Sequence, residues 1–179
     1  MNTYKFELLF KLNDNEDPEN HLDALFEAGC DDALPGIGLK GSISLAFSRE
    51  GISAFEATKS ALLDVRKAIP HAMIEGGLPY LMNLSDLANE FGFSKQNMSK
   101  YARGESKLGT MPSPIIASKT SFWIAAEVAI WLSESDVIEL STERKDTFMT
   151  IWNLNNAIAS TKAKNQAPKQ DFSDLLKCA

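Results

Sequence analysis

The stretch Leu84-Ser-Asp-Leu-Ala-Asn-Glu-Phe-Gly-Phe-Ser-Lys-Gln-Asn-Met-Ser-Lys-Tyr101 decides the fold of the C-terminal half, because it has the pattern of two short helices joined by one turn. Ser85 is predicted to cap the first helix, which ends at Gly92, a residue suited to the left-handed conformation. Ser94 is predicted to cap the second helix, with Met98 on its inner face. The stretch therefore predicts a helix-turn-helix.

The outer face of the second helix is strongly polar. We predict that it consists of Ser94, Lys95, Gln96, Asn97, Ser99, Lys100 and Arg103. Gln and Asn can bond an adenine edge in the major groove, Lys favours guanine acceptors or phosphate, and Ser adapts to either. The amides at the start of such a helix add a phosphate site. This pattern indicates a DNA-binding helix over Ser94–Arg103; the alternative is a helical hairpin used for protein contacts.

The net charge of −6 is unevenly placed along the chain. Residues 1–80 hold 7 Lys and Arg against 13 Asp and Glu, whereas residues 81–179 hold 11 of each. Within residues 92–109 the charged residues are Lys95, Lys100, Arg103 and Lys107 against Glu105. A positive field is therefore expected at the motif alone, and the acidic remainder should weaken non-specific DNA binding, so that tight binding requires two copies.

A chain of 179 residues can form one large domain or two small ones, and a hydrophobic content of 44% predicts a substantial core. No stretch approaches the apolar length of a membrane span, and the first six residues lack the charged and apolar blocks of a signal peptide. We therefore expect a cytoplasmic protein with no membrane partner.

Residues that could carry chemistry are scattered. Cys30 and Cys178 are far apart, which indicates neither a zinc site nor a disulfide, and Cys30 is expected to be a small buried residue. His21 and His71 look isolated, and Asp31-Asp32 is best interpreted as a solvated strand start. The glycines within residues 34–41 are typical of turns, and no nucleophile–base arrangement is evident. We expect neither an enzyme nor a bound metal or cofactor.

The N-terminal half has the order strand, helix, strand, strand, helix, strand. The predicted elements are strand 4–12, helix 18–28, strands 31–39 and 42–48, helix 53–69 and strand 72–75. The residues predicted to face inward from the two helices are Leu22, Leu25, Phe26, Phe55, Leu62, Val65 and Ile69. This order predicts a ferredoxin-like βαββαβ domain over residues 1–76, in an α+β chain, with residues 76–79 as the hinge to the next domain.

A small hairpin and a helix are predicted after the motif. Pro112-Ser-Pro114 marks an irregular loop. Two short strands, 115–117 and 122–124, are predicted on either side of the turn Ser118–Ser121, and residues 125–132 are predicted to form a helix. The hairpin would be a wing carrying Lys119, which completes a domain over residues 80–133.

Four segments resemble the compact winged helix-turn-helix of MerR-like and excisionase-like proteins of bacteria and phages. They are Ser94-Lys-Gln-Asn-Met-Ser-Lys-Tyr101, Pro112-Ser-Pro114, the wing ending in Trp123, and Glu127-Val-Ala-Ile-Trp-Leu132. The resemblance implies that the second helix enters the major groove and that Lys119 contacts phosphate, although a wing turn with one basic residue should contribute little. The segments 26–33 and 64–70 resemble a domain fused to such modules in small bacterial regulators.

The C-terminal region is predicted to contain one long amphipathic helix, assigned to residues 141–161 and most regular over 143–160. Its apolar face, which includes Phe148, Ile151, Trp152 and Ile158, either packs on the same chain or mediates self-association. The exposed edge of the N-terminal sheet is the other candidate surface for a dimer, and of the two surfaces we favour the helix. Residues 162–179 are predicted to be a mobile tail, and within it residues 171–177 could dock on a partner.

These patterns predict a sequence-specific transcriptional regulator that binds double-stranded DNA as a homodimer, most simply a repressor. The alternative is a protein-interaction adaptor, or an antitoxin-like component of a defence system, that holds a partner through its N-terminal domain or its tail.

Overall fold

A computed structural model describes residues 1–166 as a mixed α/β structure with a four-stranded antiparallel sheet and six α-helices. Its buried apolar side chains form two hydrophobic clusters, one around the sheet and one around the helices that follow it. Within this range, no helix has both the length and the apolar composition needed to cross a lipid bilayer.

The sheet has the strand order β2-β3-β1-β4. Its strands are β1 (Asn2–Lys11), β2 (Ala33–Gly36), β3 (Ser42–Gly51) and β4 (Met73–Leu78). Each neighbouring pair is antiparallel, and in the central pair Phe6 lies opposite Phe47, with ring centroids 5.4 Å apart. Alternate residues of β1 and β3 are buried, as the period-two pattern of the sequence predicts.

Two helices of the N-terminal half pack on the buried face of the sheet, and the C-terminal helix, Thr142–Gln166, also contacts it. The two N-terminal helices are α1 (Leu22–Ala28), which follows the 3₁₀ turn Pro18–His21, and α2 (Ala54–Ala68). The prediction that Phe26 and Phe55 face inward is wrong, since these side chains are 68% and 58% exposed. The buried stripe of α2 consists mainly of small residues, including Ala54, Ala57 and Ala61. Small side chains let this helix lie close to the sheet, which moves the aromatic residues to the outside.

A buried arginine joins α1, α2 and the sheet. Arg49 on β3 forms two hydrogen bonds with the Asp32 carboxylate, both at 2.8 Å, and a third with Asp64 at 2.6 Å. It also donates to the carbonyl of Gly29 at 2.6 Å. Desolvation lowers the pKa of Arg49, but the hydrogen bonds and charges of Asp32 and Asp64 outweigh this effect and raise the pKa above its usual value. Asp32 is thus part of a structural ion-pair network, so interpreting it as a solvated strand start was wrong.

Cys30 lies beside this network and is buried, as predicted. Burial raises the pKa of its thiol to about 11, although the nearby charge of Arg49 favours the thiolate. The thiol therefore stays protonated at neutral pH.

The second cluster is built from short elements. They are β5 (Leu81–Met82), α3 (Leu84–Phe91), α4 (Lys95–Ala102), β6 (Trp123–Ile124) and α5 (Ala125–Glu134). β5 pairs with β6 in an antiparallel two-stranded sheet. The sequence did not predict β5, because a two-residue strand has no recognisable periodicity.

The last described helix, α6 (Thr142–Gln166), packs against both clusters. Phe148 is buried in the second cluster and Ile151 in the first. These two residues of the favoured self-association face are therefore buried within the chain, while Trp152 and Ile158 remain partly exposed. The helix also extends through the first residues of the predicted tail 162–179, whose remainder, including residues 171–177, lies outside the described residues.

The predicted hinge at residues 76–79 belongs largely to β4. Gly76 and Gly77 are buried in this strand. A Cβ atom on Gly77 would lie 3.1 Å from Cδ1 of Ile151 and 3.3 Å from Cδ2 of Leu154. These glycines therefore allow α6 to approach the strand closely rather than providing a flexible joint.

Candidate nucleic-acid interface

Helix α3 is fixed at its start by Asn83. Its side-chain oxygen accepts hydrogen bonds from the amides of Ser85 at 2.8 Å and Asp86 at 3.2 Å, and the Asp86 carboxylate accepts from the Asn83 amide at 3.3 Å. This is a complete capping box. The prediction that Ser85 caps the helix is wrong by two residues. The spacing Asn83-x-x-Asp86 is the sequence signal that identifies the correct cap.

The turn between α3 and α4 has the predicted glycine. Gly92 ends α3 with φ of 74°, in the left-handed region, and the amide of Phe93 donates to the carbonyl of Ala88 at 2.8 Å. Phe93 contacts the edge of Tyr101, which in turn contacts Trp131 on α5. These aromatic contacts attach α4 to the turn before it and to α5.

The exposed face of α4 agrees with the predicted register. The hydroxyl of Ser94 accepts from the amide of Asn97 at 3.2 Å, which confirms Ser94 as the cap. Met98 is fully buried beneath the helix. The exposed residues of this face are Ser94, Lys95, Gln96, Asn97, Lys100 and Arg103. The structure thus brings together most of the residues predicted to contact DNA.

Two predicted residues at the end of α4 are engaged within the chain. Arg103 donates to both carboxylate oxygens of Glu105, at 2.6 and 2.9 Å, and to the hydroxyl of Ser99 at 2.8 Å. The hydrogen bond with Glu105 raises the pKa of Arg103, and the same bond lowers the pKa of Glu105. The positive charge at position 103 is therefore largely balanced, and Ser99 is only partly exposed.

The predicted wing is a minimal hairpin. Ile116 and Phe122 form an isolated antiparallel bridge, and Ser118 and Ser121 make hydrogen bonds within the intervening turn. After this bridge the chain continues into β6, which pairs with β5. The indole nitrogen of Trp123 donates to the carbonyl of Pro112 at 2.9 Å and anchors the preceding loop.

Lys119 in the wing turn lies near the start of α4. A cavity of about 250 Å³ separates the starts of α3 and α4 from the turn, and its lining includes Asn83, Lys95, Lys119 and Thr120. Two exposed cations from segments far apart in the sequence thus flank one concave surface. Lys107 is also exposed, but it lies in the irregular segment after α4 and is not among the residues that line this cavity.

Helix α3 is also attached to α6. The guanidinium of Arg144 donates to the backbone carbonyl of Glu90 at 2.9 Å and to its carboxylate at 2.8 Å. Sequence reasoning missed this contact because the two residues are far apart in the chain. It pairs the charge of an acidic side chain on α3 with a cation on α6.

Comparison of the chain with family models, with curated proteins and with solved structures finds no match.

Proposed function

We propose that the chain is a sequence-specific DNA-binding regulator whose helix α4 reads the major groove. The observation that carries this proposal is the capped helix Lys95–Ala102, which buries Met98 and exposes Lys95, Gln96, Asn97 and Lys100 on one surface. Base recognition requires such side chains at the start of a rigid helix.

The arrangement around α4 supports a winged helix-turn-helix. The order β5, α3, α4, hairpin and β6 places a turn next to the two helices, and the pairing of β5 with β6 ties the hairpin to the strand before α3. We further propose that residues 1–78 form a ferredoxin-like domain, which the strand order β2-β3-β1-β4 supports.

We assign the exposed residues to two kinds of DNA contact, to base edges and to phosphates. Gln96 and Asn97 would bond base edges, and Lys95 and Lys119 would contact phosphates on either side of their shared cavity. Lys100 and Lys107 would add phosphate contacts. Arg103 would contribute only after exchanging Glu105 for a phosphate.

We propose that two copies act together in the cytoplasm. A single short recognition helix reads few base pairs, and the acidic residues of the N-terminal half oppose non-specific binding. A homodimer on an inverted repeat would supply the missing affinity and is the simplest form of a repressor.

The proposal is tested by selecting duplexes from a random DNA pool and measuring the affinity of the selected duplex by fluorescence anisotropy. One enriched motif and saturable binding are expected. Lys95→Ala should weaken DNA binding about tenfold. The control Lys40→Ala, which removes an exposed charge of the N-terminal half, should leave DNA affinity unchanged. Failure to enrich any motif, with the protein folded, would refute sequence-specific DNA binding.

A second candidate function, a protein-interaction adaptor, is supported by an exposed apolar surface on α2. Phe55 and Leu63 are 58% and 57% exposed, and a groove of about 600 Å³ between α2 and α6 continues this surface. If this surface binds a partner, the double variant Phe55→Ser, Leu63→Ser should no longer bind a partner captured by the wild-type chain, and its DNA affinity should be unchanged. If the chain is an adaptor only, the double variant should lose the partner, and neither the wild type nor the variant should bind DNA.

A further inference from the structure

Three side chains from separate segments meet at one end of the N-terminal sheet. Glu16 lies in the loop after β1, His21 ends the 3₁₀ turn, and His71 precedes β4. The Nε2 atom of His21 is 2.6 Å from Oε1 of Glu16, and the Nε2 atom of His71 is 2.9 Å from Oε2 of the same carboxylate. The prediction that the two histidines are isolated is therefore wrong, because both side chains contact the same carboxylate.

The carboxylate at the centre of this cluster is held in place by the backbone. The amide of Asn13 donates to Oε2 of Glu16 at 2.9 Å, and the carbonyl of Glu16 accepts from the amide of Gly41 at 2.7 Å. Desolvation raises the pKa of Glu16, but the hydrogen bonds from Asn13, His21 and His71 outweigh it and lower the pKa to about 2. The backbone contacts with Asn13 and Gly41 therefore orient Glu16 before any ligand arrives.

We propose that Glu16, His21 and His71 form a binding site for a divalent transition-metal ion, for which Zn²⁺ is the best candidate. One ligand atom from each residue lies within 4.8 Å of the other two. Zinc bonds of about 2.0–2.1 Å in tetrahedral geometry place neighbouring ligand atoms roughly 3.3 Å apart, so small side-chain rotations suffice to admit the ion.

The donor set selects the type of metal. Two imidazole nitrogens and one carboxylate oxygen suit Zn²⁺ and related first-row ions, whereas Ca²⁺ and Mg²⁺ require oxygen donors. The side chain of His71 is 40% exposed, compared with 19% for His21 and 18% for Glu16. The open side of the cluster leaves a path for the ion and a fourth position for water.

Zinc binding would connect two loops that are distant in the sequence. The loop before α1 would be linked to the loop between α2 and β4 through the metal. Because the ligands converge only in the folded chain, the ion should stabilise the native state.

The test is a Zn²⁺ titration of the whole chain, without a tag and dialysed against EDTA, with heat of binding measured by calorimetry. The chain carries Cys178→Ser, which removes a thiol that could itself bind Zn²⁺. One ion per chain is expected, with a dissociation constant of about 10 µM or tighter. His21→Gln and His71→Gln should each weaken binding at least tenfold, and Glu19→Gln, a carboxylate removed from the same 3₁₀ turn, should not. Co²⁺ in place of Zn²⁺ should give the visible absorption bands of a tetrahedral site.

Two results would overturn the proposal. The first is the absence of saturable Zn²⁺ binding by the folded wild-type protein. The second is unchanged binding by the double variant His21→Gln, His71→Gln, which would show that the metal binds elsewhere. Circular dichroism of each variant checks the fold, and the exposed position of His71 makes His71→Gln the variant least expected to disturb it.

Discussion

Asn155 on α6 makes two hydrogen bonds with the backbone of Gly77 on β4. Its side-chain oxygen accepts from the amide of Gly77 at 3.1 Å, and its side-chain nitrogen donates to the carbonyl at 2.9 Å. Because β4 is an edge strand, these two backbone groups have no further strand beside them. The Asn155 side chain therefore supplies the hydrogen-bond partners that these two edge groups would otherwise lack, and it fixes the position of α6.

Asn155→Ala should lower the free energy of unfolding by about 1–3 kcal/mol, because it leaves buried polar groups of Gly77 without a partner. Asn156→Ala, which removes an exposed amide from the same helix, is the control and should change stability by less than about 0.5 kcal/mol. Urea unfolding followed by circular dichroism measures both. Equal effects of the two substitutions would contradict the role assigned to Asn155.

Gln96→Ala and Asn97→Ala should each reduce affinity for the selected duplex by about 1–3 kcal/mol and relax the preference at one base pair. Their stability should barely change, because both side chains are exposed. Met98→Ala should instead lower the free energy of unfolding by about 2–5 kcal/mol, because this side chain is fully buried. Thermal melts and anisotropy titrations separate the two effects, and equal destabilisation by all three would show that the faces of α4 are misassigned.

The salt dependence of DNA binding should follow the number of cations that reach phosphate. Two copies that together neutralise eight phosphates should give a slope of about −7 for log K against log salt concentration. Glu105→Gln should release Arg103 from its carboxylate partner, tighten binding and steepen the slope by about one further unit per chain. A slope near zero in anisotropy titrations would eliminate the DNA-binding proposal.

Arg49→Leu should lower the free energy of unfolding by about 3 kcal/mol, because Asp32 and Asp64 would lose their common partner. Arg66→Leu on the exposed side of α2 is the matched control and should have little effect. Denaturant titration measures the difference. If both substitutions proved neutral, the buried network would not contribute to stability.

Glu16 should make stability depend on pH in the acid range. A carboxyl group whose pKa is lowered from 4.5 to about 2 on folding adds stability above pH 4.5, and this contribution is lost as the pH falls towards 2. The difference in unfolding free energy between metal-free wild type and Glu16→Gln should therefore shrink across this interval. A difference that stays constant from pH 5 to pH 2 would exclude the proposed hydrogen bonds to the ionised carboxylate.

Local patterns in the sequence predicted the α3–α4 region well. The left-handed Gly92, the cap Ser94 and the buried Met98 depend on residues only a few positions away, so spacing alone identifies them. The structure places the cap of α3 at Asn83 and not at the predicted Ser85, because only Asn83 is followed three residues later by an acid that completes a capping box. The same local reasoning failed for α2, where the helix period was correct but the small residues, not Phe55, form the buried stripe.

Contacts between distant residues were beyond prediction from spacing. Arg49 meets Asp32 and Asp64 only because α1 and α2 pack on the same face of the sheet. His21 and His71 meet at Glu16 only because the strand order brings two loop ends together. Hydrophobic periodicity says which face of an element is buried, but it does not say which other element covers that face.

The position of α6 has a consequence for how the chain unfolds. Phe148 and Ile151 lie less than one helical turn apart, yet they are buried in different hydrophobic clusters. Unfolding of α6 would therefore remove a core residue from both clusters at once, so we expect the two clusters to unfold as one cooperative unit. A ligand adds RT ln(1 + [L]/Kd) to the stability of the whole unit, wherever it binds. Zinc at Glu16 would thus protect α4 against unfolding, and DNA at α4 would protect the sheet.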